Sequence, residues 1–335
     1  MDRSKTQPAQ AQPGLSRRNL LGIAGTVAVA AVVGLPATTL ARATALPRPK
    51  PVGGTRVLRV AHLTDSHIQP ELRATDGMNA CLQHVMAQSD KVGLVVTGGD
   101  LIMDSFGQPR ERTQTQWNLY TRSLKDHCGV PVEHCLGNHD IWGWDKKKSQ
   151  TAGTESQWGK KWACDVLGLA TPYRAFERAG WRFVVLDSVQ PFEAGYLGGI
   201  EEAQFEWFKA ELEAHRATPT IVVSHVPIVS AVACLGDGKF KDGVFSLSGG
   251  NVFTNQLMVH SLLRKHPQVK ACISGHIHQL EDMRVEGVRY ICDGAVSGAW
   301  WKGEKTRCVE GYGLLDLFDD GRVDWKYETY GWKAE

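Results

Sequence analysis

Net charge is almost absent from this sequence. Its 335 residues include 38 lysines and arginines against 36 aspartates and glutamates, which gives a formal net charge of +2. Proteins that bind nucleic acid through the phosphate backbone carry a clear basic excess. We therefore expect no nucleic-acid partner. The 42% of apolar residues is enough for a large folded core.

The sequence also lacks paired cysteine motifs. Eight cysteines are scattered along the chain, and no two of them form a C-x-x-C pair. This pattern does not suggest a zinc ribbon, and in a chain of this length we expect no disulfide framework. We interpret most of the cysteines as small buried apolar residues, while the presence of an individual disulfide stays open.

The first 45 residues have the pattern of an export signal. Arg17 and Arg18 precede an uncharged apolar run at 20–35, and two A-x-A patterns end at Ala43 and Ala45. The run with its small-residue ending predicts a secretory signal, and the arginine pair resembles the twin-arginine export motif. We therefore predict a twin-arginine signal peptide, with the twin-arginine export machinery as a partner.

This signal predicts an exported protein, periplasmic or extracellular, which stays associated with the membrane if the signal is not cleaved. Residues 46–54 contain three prolines and are predicted to be an extended linker. The remaining residues, 55–335, are predicted to form one domain.

Past residue 55, short apolar runs alternate with amphipathic helical patterns, and no internal repeat is visible. Strands are predicted at 57–63, 93–97, 130–136, 181–186, 220–224 and 269–274. Helices are predicted between them at 77–88, 112–127, 201–215 and 255–265. This alternation predicts an α/β fold. Turn-linked strands at 288–292, 312–317 and 323–327 further predict a second sheet that is largely antiparallel.

Polar residues follow five of the predicted strands directly. They are Asp65, His67, Asp100, Asn138, His139, Asp140, His225, His276 and His278. In open α/β sheets, ligands gather outside the carboxyl ends of the strands, so we expect these side chains to converge. Carboxylate, imidazole and amide groups suit manganese, iron or zinc. The number of these groups is too large for one ion and predicts two.

Glycines precede three of these polar segments. Gly98 and Gly99 come before Asp100, and Gly137 and Gly275 open the two segments G-N-H-D and G-H-x-H. Glycine lets the backbone turn sharply off a strand and approach a metal closely. We therefore interpret these glycines as part of the predicted site.

The ordered segments D-x-H, G-D, G-N-H-D, a single histidine and G-H-x-H resemble the calcineurin-like metallophosphoesterase superfamily over residues 56–332. The class III cyclic-nucleotide-phosphodiesterase branch is the most similar, and Asp187, Gln204 and Trp207 match it as well. The resemblance implies a metallophosphoesterase domain at 55–335. Its fold would be a four-layer α/β/β/α sandwich of two mixed β-sheets flanked by helices.

The resemblance also implies a role for each residue. Two divalent metal ions, of manganese, iron or zinc, would be held by Asp65, His67 and His278 at one position and by Asn138, His225 and His276 at the other. Asp100 would bridge the two ions. His139 would be the catalytic residue that faces the substrate phosphate and donates a proton to the leaving oxygen.

The implied activity is hydrolysis of a phosphodiester or phosphomonoester by a hydroxide that bridges the two ions. The expected partner is a phosphate-ester small molecule or a lipid head group. A broad phosphomonoesterase or nucleotidase stays open as an alternative, and so does a non-catalytic scaffold of the same fold. The sequence leaves the substrate and the oligomeric state open.

Three long loops, at 141–170, 229–251 and 295–308, follow predicted site residues or contain unusual tryptophans. The first holds four tryptophans near three consecutive lysines, and the third holds Trp300 and Trp301 beside Lys302. Loops of this length are often functional. Either these tryptophans contact the substrate, or they attach the loops to the body of the protein.

Overall fold

A computed structural model describes residues 53–334 of the chain. The predicted signal peptide at 1–45 and most of the predicted linker at 46–54 lie outside the described residues. The described strands, in chain order, are β1 (Arg56–Leu63), β2 (Leu94–Thr97), β3 (Val132–His134), β4 (Arg174–Arg178), β5 (Trp181–Val185), β6 (Val189–Phe192), β7 (Gly195–Gly198), β8 (Thr220–Val223), β9 (Lys239–Lys241), β10 (Val244–Ser246), β11 (Val269–Ser274), β12 (Glu281–Val285), β13 (Val288–Cys292), β14 (Gly311–Phe318) and β15 (Val323–Thr329).

Helices lie between many of these strands. They are α1 (Ala74–Met86), α2 (Arg110–His127), α3 (Lys146–Ser149), α4 (Lys161–Leu167), α5 (Glu202–Ala214), α6 (Ala231–Asp237) and α7 (Gln256–Leu263), with a 3₁₀ turn at Asn138–Asp140. Within residues 53–334, we find no helix with both the length and the apolar character that crossing a membrane requires.

Two large mixed sheets form the centre of the fold. The first has the strand order β15-β14-β1-β2-β3, and the second has the order β12-β13-β11-β8-β5-β4. In the first sheet β1, β2 and β3 run parallel, and in the second β5, β8, β11 and β13 run parallel. The carboxyl ends of the parallel strands in each sheet therefore lie along one edge of that sheet.

Alternating side chains of these strands enter two different layers of core. In β1, Leu58 and Val60 belong to the cluster between the sheets, while Ala61 and Leu63 belong to the cluster with α1 and α2. Successive side chains of a strand point to opposite faces, and both faces are buried here, which explains the continuous apolar runs in the sequence.

The second sheet repeats this arrangement. In β8, Ile221 and Val223 face the first sheet, while Val222 packs in the cluster with α5 and α7. The layers are therefore helices, sheet, sheet, helices. The predicted four-layer α/β/β/α sandwich of two mixed sheets is confirmed.

Each predicted strand and helix is present, but the prediction that the second sheet is largely antiparallel was wrong. Three of the five strand pairings in that sheet are parallel, and the predicted tail strands are divided between the two sheets. β14 and β15 extend the first sheet, and β13 joins the second sheet parallel to β11. Apolar patterning gives the positions of strands but not their partners, because pairing is decided by contacts between distant segments.

Candidate metal centre

The eight residues that were given a metal-binding or catalytic role lie together at the carboxyl ends of the strands. The loop after β1 carries Asp65 and His67, and the loops after β2, β3, β8 and β11 carry the others: Asp100, Asn138, His139, His225, His276 and His278. Three overlapping groups of side chains have ligand atoms within 4.8 Å of one another. Loops from both sheets therefore meet at one centre.

Backbone strain is concentrated at this centre. Five of the eight residues have left-handed backbone angles: Asp65 (φ 56°), His67 (φ 41°), Asp100 (φ 52°), His276 (φ 72°) and His278 (φ 56°). For a residue with a side chain this conformation costs about 1–2 kcal/mol. Such strain persists only where the surroundings enforce it, and it clusters at functional sites. The loops therefore hold these ligand residues in an unfavourable backbone conformation.

One group of ligand atoms belongs to Asp65, His67 and His278. The Nε2 atoms of the two histidines lie 3.1 Å apart, and Nε2 of His278 lies 3.2 Å from Oδ1 of Asp65. That oxygen is buried and has no hydrogen-bond partner, whereas Oδ2 accepts hydrogen bonds from Thr64 Oγ1 and His276 N. A buried carboxylate oxygen without a partner is costly, and a cation among these three atoms would satisfy it.

A second group faces the first. Nε2 of His225 lies 3.1 Å from Nδ1 of His276 and 3.1 Å from Oδ1 of Asn138. With metal–ligand bonds of 2.0–2.2 Å, adjacent ligand atoms lie roughly 3.0–3.6 Å apart. The spacing in both groups therefore suits a divalent ion.

Asp100 lies between the two groups. Its Oδ2 is 3.7 Å from Nε2 of His67 in one group and 3.2 Å from Nε2 of His225 in the other. Its Oδ1 accepts a 2.8 Å hydrogen bond from the backbone N–H of His139, which fixes the carboxylate. This position would allow the carboxylate to contact ions in both groups, and its role as a bridge stays a prediction.

In two histidines, a hydrogen bond from the ring nitrogen Nδ1 fixes the tautomer of the imidazole. Nδ1 of His225 donates to the carbonyl of Gly98 at 2.8 Å, and Nδ1 of His278 donates to the carbonyl of Gly298 at 2.6 Å. A histidine that donates from Nδ1 keeps the lone pair of Nε2 free for a metal. These carbonyls therefore aim both Nε2 atoms at the centre.

The protonation of the centre follows from its charges. Burial alone would raise the pKa of Asp65, yet the nearby His278 and His225 hold the pKa of Asp65 well below its usual range. Burial opposes charge on His225, but Asp100 outweighs it and raises the pKa of His225 to about 9. Ionised carboxylates favour cations, and a bound cation would displace the proton of His225. The donor set thus fits a pair of divalent ions.

Close contacts with the carboxylates of the centre explain why glycine occupies two positions before the ligands. A Cβ on Gly137 would lie 2.2 Å from Oδ1 of Asp100, and a Cβ on Gly275 would lie 2.3 Å from Oδ2 of Asp65. Both distances are far below van der Waals contact. No side chain therefore fits at either position without moving a carboxylate of the centre.

Asp140 organises the loops around the centre. Its Oδ1 accepts from the N–H of Leu101 at 2.8 Å, and its Oδ2 accepts from the N–H of Gly137 at 2.8 Å. Both oxygens are occupied by backbone donors. Asp140 therefore ties the segment after β2 to the turn after β3.

His139 faces the centre beside His67 and Asp100, with which it forms the third of the overlapping groups. Its Nε2 lies 3.9 Å from Oδ2 of Asp100, and its Nδ1 lies 3.7 Å from Oδ1 of Asp104. Its side chain is 27% exposed, which is enough to meet a substrate. Asp104 was not predicted from the sequence, because an aspartate in a loop carries no distinguishing signal.

The centre opens into a cleft of about 200 Å³. Residues that sequence reasoning did not assign to the site also line this cleft: Tyr196, Asp237, Asn251, Trp300 and Lys305. All except Tyr196 lie in the loops at 229–251 and 295–308. Length and composition of those loops were the only signals available, and Tyr196 on β7 gave none.

In the loop at 141–170, the buried Trp142 and Trp162 attach the loop to the core, while Trp158 bonds within the loop. The indole N–H groups of Trp142 and Trp158 donate to the carbonyls of Gln108 and Gly143, and Trp142 packs on Trp162. The tryptophans of this loop therefore have a structural role, whereas the other alternative, contact with the substrate, stays open for the loop at 295–308. In the loop at 295–308 Trp300 enters the cleft, and its neighbouring cation there is Lys305, not Lys302.

The other residues singled out by the sequence have structural partners. The side-chain amide of Gln204 bonds both the N–H and the carbonyl of Asp187, whose carboxylate pairs with Lys160 at 2.6 Å. Trp207 packs on Tyr173 with ring centroids 4.9 Å apart. These residues support the strand ends beside the centre.

This chain is similar in sequence to two known phosphodiesterases. A 3',5'-cyclic-nucleotide phosphodiesterase of Nostoc sp. is 22% identical over 284 residues, which cover 81% of this chain and 92% of that protein. A 3',5'-cyclic adenosine monophosphate phosphodiesterase of Escherichia coli K12 is also 22% identical, over 72% of this chain and 77% of that protein.

A solved structure shares the fold. The crystal structure of a dimetal phosphatase from Danio rerio superposes with a TM-score of 0.57 at 18% identity, covering 82% of this chain and 97% of that one. Residues 58–280, more than half of the chain, match the calcineurin-like phosphoesterase family. The chain therefore belongs to the calcineurin-like phosphoesterase family and is a metal-dependent phosphoric ester hydrolase.

Proposed function

We propose that this protein is a phosphodiesterase that hydrolyses a cyclic nucleotide or a similar small phosphodiester. The observation that carries the proposal is the complete set of ligand atoms in two facing groups, with the Asp100 carboxylate between them. The substrate class comes from the similar proteins of Nostoc sp. and Escherichia coli, which are cyclic-nucleotide phosphodiesterases.

In this proposal the protein holds two divalent ions. Asp65, His67 and His278 would hold one ion, and Asn138, His225 and His276 would hold the other. When bound, such a pair of ions supplies Lewis-acid stabilisation of phosphoryl oxygens and lowers the pKa of water toward neutrality. Asp100 would keep the two ions at a fixed separation.

The chain's own residues then position the ester. His139 is the partly exposed imidazole at the cleft, so we assign it to the phosphate and to the leaving oxygen. Asp104, 3.7 Å from its other nitrogen, would orient the ring. The glycines before the ligands admit the close backbone approach on which the arrangement depends.

We further propose that the protein is exported by the twin-arginine route. The support is the sequence at the N-terminus, where Arg17 and Arg18 precede the apolar run and the A-x-A patterns. This route carries folded proteins, which would let the metal ions bind before export.

A substrate screen tests the enzymatic proposal. The purified chain, loaded with Mn²⁺, Fe²⁺ or Zn²⁺, is assayed against cyclic nucleotides, nucleoside monophosphates, glycerophosphodiesters with lipid head groups, and nitrophenyl mono- and diesters. We expect cyclic-nucleotide hydrolysis that EDTA abolishes and metal restores. Preferred hydrolysis of nucleoside monophosphates would replace the proposal with a nucleotidase, and a metal-free, inert protein would indicate a scaffold.

A further inference from the structure

One wall of the cleft is formed by Trp300 and Lys305. The indole ring of Trp300 lies against His278, with ring centroids 4.7 Å apart, and 5.9 Å from the ring of His67. The ammonium of Lys305 lies 4.7 Å from the centroid of the same indole. Both side chains line the cleft together with the predicted metal ligands.

The backbone holds this wall in place. Trp300 and Trp301 are consecutive residues with left-handed backbone angles, φ 54° and 68°. The indole N–H of Trp301, which is buried, donates to the carbonyls of Ser66 and His67 in the loop after β1. The strained pair therefore turns one tryptophan into the core and the other into the cleft.

Lys305 is anchored in the same way. Its backbone N–H and carbonyl both bond Cys308, at 2.9 and 2.8 Å, which closes a tight turn. The cleft-lining residues described here include Lys305 but no other lysine and no arginine, and no described carboxylate forms an ion pair with it. A cation resting on an aromatic face without a carboxylate partner is free to bind an anion.

We propose that Lys305, supported by Trp300, binds a non-bridging oxygen of the substrate phosphate and thereby lets the site accept phosphomonoesters as well as diesters. This inference rests on the proposed phosphoesterase function. Neither Lys305 nor Trp300 belongs to the predicted ligands, so their part is to bind the substrate and not to hold the ions.

The charge of the substrate determines how strongly the recognition of each ester depends on Lys305. Above pH 7 a monoester phosphate carries about two negative charges, whereas a diester carries one. The Coulomb energy with the Lys305 ammonium scales with that charge. Loss of the ammonium should therefore cost about twice as much interaction free energy for a monoester as for a diester.

The test compares two substrates with one leaving group. At pH 8, Lys305→Met should lower kcat/KM for p-nitrophenyl phosphate about tenfold, or about 1.4 kcal/mol, and for bis-p-nitrophenyl phosphate about threefold. Lys302→Met is the matched control, because Lys302 is exposed on the same loop and outside the cleft. Lys305→Arg should restore most of the monoester activity.

A binding measurement separates this inference from the proposed function. Calorimetric titration of the Mn²⁺-loaded protein with inorganic phosphate needs no turnover, and Lys305→Met should weaken binding about tenfold with unchanged metal content. If the metal-loaded wild-type protein hydrolyses neither these esters nor cyclic nucleotides, the proposed function is wrong, while phosphate binding still tests Lys305. Equal losses for both esters, or an unchanged phosphate affinity, would overturn the role of Lys305.

Discussion

Replacement of Gly137 by alanine should disable the centre without touching any ligand. Gly137 precedes Asn138, and its Cα packs against Asp100, the predicted bridge. The new methyl group would lie 2.2 Å from Oδ1 of Asp100 and 2.3 Å from its backbone N. Ordinary contacts of a Cβ begin at 3.4 Å, so the two segments must separate by more than about 1 Å.

That displacement sets the magnitude of the effect. The carboxylate of Asp100 faces both groups of ligand atoms, and a 1 Å misplacement at a reacting centre costs roughly 100-fold in rate. Gly137→Ala should therefore lower kcat/KM roughly 100-fold and reduce the metal content below two per chain. The N–H of Gly137 also bonds Asp140, so the turn itself is expected to loosen.

The assay combines metal analysis, bis-p-nitrophenyl phosphate hydrolysis and a thermal melt. Gly129→Ala is the matched control, because a Cβ at Gly129 meets nothing closer than Met86 Sδ at 3.9 Å. The control should keep its metals and activity. If Gly137→Ala also keeps two metals and near-normal activity, the close approach of the two loops is not required and the reasoning fails.

Three further predictions concern other parts of the chain. Asp100→Ala should lose more metal, measured by mass spectrometry, than Asn138→Ala, because only Asp100 faces both groups; two ions per chain and normal turnover in Asp100→Ala would contradict this. His139→Ala should keep its metals but slow alkyl or nucleoside esters roughly 10²- to 10⁴-fold, and nitrophenyl esters much less; equal losses would exclude proton donation. Lysine at both Arg17 and Arg18 should leave active protein inside the cell, and normal secretion of that variant would refute the route.

The predicted centre could be read from the sequence because its signals are local. Each ligand follows an apolar strand run, and the parallel strands of both sheets end at the same edge. Asp65 and Asp100, for example, follow neighbouring strands β1 and β2. The residue types then indicate divalent ions. That these residues bind metal stays a prediction.

The walls of the cleft could not be read in this way. Lys305 lies beside Trp300 because two consecutive left-handed residues divert the chain and Trp301 anchors it to a distant loop. No periodicity encodes such a path. The prediction of a largely antiparallel second sheet was wrong for a related reason, since strand pairing depends on tertiary contacts and not on the strand's own pattern.

Anomalous diffraction from crystals of the manganese-loaded protein tests the central claim most directly. The account predicts two anomalous peaks, about 3.5–4 Å apart. One peak should lie among Asp65, His67 and His278, the other among Asn138, His225 and His276, and Asp100 should contact both. A single peak, or two peaks that Asp100 does not bridge, would contradict the account.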